Sequence, residues 1–229
     1  MTRSQRRQAR LVLEDGTCLT GRSFGAVADS VGELVFNTSI TGYQEILTDP
    51  SYRGQTVLLT QPHIGNYGIN SEDEESNHLW LSGLVVREAC GRASSFRSGG
   101  ELGDYLVQHG VPAIEEVDTR LITRRIRSAG AMRVLITHDL DSPEATLVDR
   151  VRSAPSVSDE DHVRAVTVDA PRQWIRGDES LFAARREGAP TERHAIVAYD
   201  FGAKRNILRA LVETGFDVTV VPAHTPAEA

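Results

Sequence analysis

The sequence predicts an α/β protein, and three observations carry that prediction. From Leu11 to Val86 the chain is punctuated by short strand-like runs, whereas from Glu101 onward helical spacing alternates with strands. From His194 a strand, a turn, a helix and a second strand follow one another, which is one β-α-β unit. The composition is that of a packed chain: 229 residues, 40% hydrophobic and 25% charged. That balance excludes bulk disorder. No apolar run reaches the roughly 18 residues a membrane-spanning helix needs. A net charge of −7 disfavours a generally basic nucleic-acid binder.

Met1 to Arg10 holds four arginines, no acid and no apolar stretch. It is expected to be a frayed, solvated tail rather than a signal, so the cytoplasm is the default compartment. Leu11 to Thr20 should form a hairpin, because Asp15-Gly16 sits between two alternating runs. Glu33–Phe36 is a second strand, and 41–47 a short helix stopped by Asp49-Pro50. The runs 55–60 and 81–86 are further strands, separated by a loop containing Gly65, Gly68 and the acidic run Glu72–Glu75. That acidic run is expected to be a solvated face.

The period then changes. Residues 101–109 form a helix ended by Gly110, and 120–128 a second one, capped by Asp118 or Thr119 and ended by Gly130. Arg133–Thr137 is a strand. Ser142-Pro143-Glu144 reads as N-cap, first-position proline and first-turn acid of a helix running to about Arg152. A first domain should therefore end near residue 150. The stretch after Ala154 is polar, carries Pro155, Pro171 and Pro190, and has no sustained period; it is expected to be a connector with some local structure. His194–Tyr199 is then a buried-type strand, Asp200-Phe-Gly202 a turn, Lys204–Glu213 a helix ended by Gly215, and Phe216–Val221 a strand. A lone unit of this kind cannot cover both faces of its sheet, so the chain is expected to be the front part of a longer protein.

Neither cysteine suits a nucleophile elbow: Cys18 has Thr20 after it and Cys90 has Glu88 before it. The seven histidines have no metal-motif spacing and there is no CxxC, so no metal site is expected. Two regions stand out. Asn37 to Tyr52, with Gln61 to Asn66, is dense in hydroxyls, amides and glycines, which make hydrogen-bonding surfaces. Lys204 is the only lysine among 25 basic residues, and it stands at the mouth of a β-α turn, where a compact ammonium is favoured over a planar fork.

These regions carry a resemblance. Val31–Tyr52, Pro62–Asn66, Asp73–Ser76, Val117–Thr123 and Val197–Leu208 are collinear with motifs of the glutamine-hydrolysing small subunit of carbamoyl-phosphate synthetase, and the chain resembles that family from about residue 11 onward. The match is loosest over 154–192, where Asp159-Glu-Asp-His162 replaces a more apolar stretch. The resemblance implies an N-terminal swivelling β/β/α domain over 8–153, a connector over 154–192, and over 193–229 the first β-α-β unit of a truncated, doubly wound (flavodoxin-like) class I glutamine amidotransferase domain. It implies that glutamine is hydrolysed by a cysteine, a histidine and a glutamate, none of which this sequence carries at matching positions. The 229 residues alone are thus expected to be inactive as a glutaminase. Ser51 matches the family serine that reaches the bound glutamine, in a positioning role. Lys204, where the amidotransferase unit begins, is a second candidate for the same site. The implied partner is a large synthetase subunit that takes the ammonia and makes carbamoyl phosphate from bicarbonate and ATP, for arginine and pyrimidine synthesis. ATP and magnesium are expected on that subunit and no cofactor in this chain. The alternative is a non-catalytic module that docks a synthetase partner; neither reading involves nucleic acid or a membrane.

Overall fold

The computed structural model describes residues 7–178 and 192–228. Residues 1–6 of the expected tail, and part of the expected connector, lie outside them. The chain is a mixed α/β protein with a closed barrel at its centre.

The elements, in chain order, are strands β1 (Gln8–Leu13), β2 (Cys18–Ser23) and β3 (Ser30–Asn37), helix α1 (Tyr43–Thr48), and strands β4 (Gln55–Leu59), β5 (His63–Ile64), β6 (Gly83–Val85) and β7 (Glu88–Ala89). Helix α2 (Leu102–Gln108), strand β8 (Ala113–Glu115), helix α3 (Thr119–Ala129), strand β9 (Met132–Thr137) and helix α4 (Glu144–Ser153) follow. Then come helix α5 (His162–Val166), strands β10 (Arg172–Trp174) and β11 (His194–Asp200), helix α6 (Arg205–Glu213) and strand β12 (Phe216–Pro222).

The barrel closes in the order β1-β2-β8-β6-β4-β3-β9. Its three central pairings, β8 with β6, β6 with β4 and β4 with β3, are parallel; the rest are antiparallel. Alternation decides which residues face inward. Ala9, Leu11 and Leu13 of β1 join Leu34, Leu58, Val85, Ile114, Val134 and Ile136 in one fully buried cluster. Because every strand of a closed barrel sends alternate side chains inward, this cluster is the lumen. Helix α3 adds Ile122 and Ile126 to it. On one outer face Val57, Leu59, Leu84 and Ala113 pack against α1 and α2. On another, Val12 and Leu135 pack beneath Leu147, Val148 and Val151 of α4.

The expected hairpin forms, with Val12 opposite Cys18; Gly16 takes φ +96°, which a residue with a Cβ resists. Asp118, not Thr119, caps α3: its carboxylate accepts from the Leu121 amide at 2.9 Å. Two expectations are corrected. The tail does not reach Arg10, which lies in β1 and donates to the carbonyls of Leu140 and Ser142 at 2.7 and 2.8 Å. Ser142 does not cap α4: Pro143 occupies the cap position and no side chain caps there, while the Ser142 amide is held by Asp139 at 2.9 Å.

Beyond α4, residues expected to be connector take on structure. A capping box at Ser156 and Asp159 closes a 3-10 turn over Val157–Asp159, and Asp161 caps α5. β10 pairs antiparallel with β12, so the second sheet runs β10-β12-β11 rather than containing only the β-α-β pair. Leu208 of α6 packs on Val218 and Val220 to cover one face of this sheet. On the other face Val197 and Tyr199 remain 58% and 38% exposed.

Candidate functional site

The site grows from the Asp49-Pro50 step. Pro50 stops α1 and begins a 3-10 turn, Pro50–Tyr52, with its φ already set for that start. Asp49 is 6% exposed and its two carboxylate oxygens point different ways. Oδ1 accepts from the Ser51 amide at 2.9 Å, capping the turn. Oδ2 meets Lys204 Nζ at 3.1 Å. One buried carboxylate therefore joins the two residues singled out from the sequence. The Ser51 side chain is exposed, and Asn37 Nδ2 donates to the Tyr52 hydroxyl at 3.0 Å behind it. The hydrogen bond from Lys204 to Asp49 holds its ammonium charged beyond the ordinary lysine range.

Lys204 is presented by a turn that is itself fixed. Asp200, buried at the end of β11, accepts from the Gly202 and Ala203 amides at 3.0 and 2.8 Å and from the Val168 amide at 2.9 Å. Gly202 has φ +95°, and a Cβ there would sit 3.0 Å from Pro50 Cβ. The β-α turn is thereby pressed against the proline that precedes Ser51.

The acidic run is the main correction at this site. Glu75 is 5% exposed and belongs to no solvated face. Its carboxylate accepts from the Asn206 amide at 2.9 Å and from Asn206 Nδ2 at 2.7 Å, and its carbonyl accepts from the Arg205 amide at 2.9 Å. It thus satisfies the open amides at the start of α6, a favourable place for negative charge. Glu74 meets Arg205 at 3.2 Å, while Arg97 binds Asp73 and Glu72 at 2.5 and 3.1 Å. The run is a clasp between the barrel unit and α6.

Half of the polar stretch 37–52 is likewise scaffold rather than surface. Tyr43, Gln44 and Thr48 are buried. Gln44 exchanges two hydrogen bonds with Asn70, Tyr43 stacks on Tyr67 with centroids 4.1 Å apart, and Thr48 Oγ1 accepts from the Glu75 amide at 2.8 Å. Burial raises both tyrosine hydroxyls, that of Tyr67 to about 12, so they act as neutral hydrogen-bonding groups. Ser39, Thr41 and Ser51 stay exposed.

Beside the turn lies a cleft of about 850 Å³ lined by Pro50, Glu74, Ser76, Asp200, Arg205 and Arg209. Ser51 presents an exposed hydroxyl and Lys204 an ammonium held by Asp49, and neither residue lines that cleft. Among the described residues that line the cleft there is no cysteine. Burial and the neighbouring Glu144 raise the Cys18 thiol, the wrong direction for a thiolate. Among the described residues no three His, Cys, Asp or Glu side chains gather as a metal site, and no helix is long and apolar enough to cross a membrane. Sequence reasoning singled out Ser51 and Lys204 but missed Asp49, read only as a helix stop, and Glu75, hidden in a charged run.

Comparison with known proteins adds an independent line. The family profile described as "Carbamoyl-phosphate synthase small chain, CPSase domain" matches residues 11–136. A carbamoyl phosphate synthase small chain of Syntrophotalea carbinolica is 51% identical over 222 residues, covering 96% of this chain and 58% of that protein. The small chain of Escherichia coli K12 is 47% identical over 225 residues, covering 97% and 59%. The chloroplastic small chain of Oryza sativa is 47% identical over 219 residues, covering 96% and 49%. The chain therefore spans between about half and three fifths of the length of these relatives.

Proposed function

The chain belongs to the carbamoyl-phosphate synthase small-chain family, and on that footing we propose that it serves the glutamine-hydrolysing subunit of a carbamoyl-phosphate synthetase. In this reading the subunit releases ammonia from glutamine and passes it to a large synthetase subunit. That partner combines it with bicarbonate, using ATP and magnesium, to form carbamoyl phosphate for arginine and pyrimidine synthesis. The work is cytoplasmic.

The contribution of these residues is positioning. Ser51, on a turn capped by Asp49, offers a hydroxyl to the amino-acid end of glutamine, and Lys204 borders the same surface. Acyl transfer to a thiolate is not assigned to Cys18 or Cys90. The observation that carries the reading is the Asp49 bridge, which brings the family-matching serine and the start of the β-α turn to one place.

The test is glutamine kinetics in a small chain of the relatives' full length that carries this sequence, assembled with its large subunit. Ser51→Ala removes one hydrogen bond to bound substrate, so the glutamine KM should rise about 3- to 10-fold. An unchanged KM removes Ser51 from the site.

A further inference from the structure

Helix α6 starts in a way that helix chemistry disfavours. Asp118 and Asp161 cap α3 and α5 with their own side chains. At α6 the cap position is held by Lys204, which makes no capping bond, and no acid stands in the first turn. Lysine only donates, so it cannot satisfy the open amides there, and its ammonium opposes the positive end of the helix. A self-capping Ser or Asp is the more stable choice for such a position. Departures of this kind from local preference are expected at functional positions.

Glu75 compensates from 131 residues away. Its carbonyl accepts from the Arg205 amide at 2.9 Å and its carboxylate from the Asn206 amide at 2.9 Å, while the Ile207 amide reaches the Lys204 carbonyl at 3.0 Å. The first three amides of α6 are therefore bonded, two of them by Glu75. The Lys204 ammonium is favoured first by its bond to Asp49 and further by the Glu75 charge.

Glu75 is anchored on its other side as well. Its amide donates to Thr48 Oγ1 at 2.8 Å, and Ser76 Oγ donates to the Thr48 carbonyl at 2.6 Å. Thr48 immediately precedes Asp49, which holds the Ser51 amide on one oxygen and Lys204 on the other. Thr48, Asp49, Lys204, Arg205 and Glu75 thus form a closed ring of covalent and hydrogen bonds, so a shift of Glu75 moves both turns.

We propose that Glu75 is a positioning residue for the glutamine site: by capping α6 in place of residue 204, it lets that position carry an ammonium and sets the ammonium on the carboxylate that holds Ser51. The proposal rests on the glutamine reading above.

A double-mutant cycle on glutamine kinetics tests it, in a small chain of the relatives' full length that carries this sequence, assembled with its large subunit. Lys204→Met should raise the glutamine KM by about tenfold or more. Glu75→Ala should raise it about 3- to 10-fold, with kcat moving less. Because Glu75 acts through Lys204, the double variant should show the KM of Lys204→Met alone. A merely structural role gives effects that add. Glu75→Gln keeps one acceptor for the Asn206 amide, and it carries the same comparison, at a smaller effect, where the alanine variant does not assemble. Additive effects, an unchanged KM in the Glu75 variant, or an unchanged KM in Lys204→Met would each overturn the proposal. Ser51→Ala separates the two readings. If it raises KM while the cycle is additive, the Glu75 proposal alone falls; if it too leaves KM unchanged, the Ser51 assignment falls with it.

Discussion

Glu75 and Glu45 are two carboxylates under opposite conditions. Glu75 is buried but satisfied, since Asn206 gives it an amide and a side-chain donor. Removing such an acceptor strands those donors, so Glu75→Ala should cost about 1–3 kcal/mol in denaturant unfolding. An isosteric Gln should recover part of that loss. Glu45 lies on α1 with its Oε2 buried and without a hydrogen-bond partner. Burial first, and then the nearby Asp73 and Glu75, raise its carboxyl above the ordinary 4.5. A raised carboxyl pKa in the fold means that the neutral form suits the fold and ionisation opposes it. Glu45→Gln should therefore raise the melting temperature at pH 7. That gain should shrink as pH falls through the folded-state pKa and vanish below the ordinary range, where both side chains are neutral. A gain that persists unchanged at pH 3 would mean that charge is not the cause.

Among the elements, the β11–α6 turn is the most constrained. Gly202 combines φ +95° with Pro50 Cβ 3.0 Å and Val166 Cγ2 3.1 Å from where a Cβ would stand. Gly202→Ala meets both the left-handed strain and the contact, so about 1–3 kcal/mol of local stability should be lost. Hydrogen exchange checks it: amides of α6 should lose protection while those of β3 and β4 keep theirs. Individual elements were also the most legible level. Asp15-Gly16 announced the hairpin and Gly130 the end of α3, because turn and cap chemistry is local. Arg172–Trp174 was not legible as a strand. Three residues carry no period, and their pairing with Val218–Val220 is set across some 45 residues of chain.

The whole molecule pairs units of unequal cores. The barrel lumen and its outer layers are broad and fully buried, whereas the second sheet rests on Leu208, Val218 and Val220 and leaves Val197 exposed. Burial scales with stability, so the β10-β12-β11 unit should open first. Denaturant unfolding followed by exchange should show β11 and β12 amides freed before those of β4. Simultaneous loss would mean that the Glu75 clasp makes one cooperative unit.

By itself the sequence determined the α/β class, the position and type of most elements, and the motifs that drew attention to Ser51 and Lys204. Periodicity, caps and turn residues act over a few positions, so they can be read one stretch at a time. Tertiary structure alone decided the closed strand order, the conversion of an acidic run into a clasp, and the Asp49 bridge. Those depend on groups far apart along the chain, 131 residues for Glu75 and Asn206, and only the packed barrel brings them within hydrogen-bonding distance.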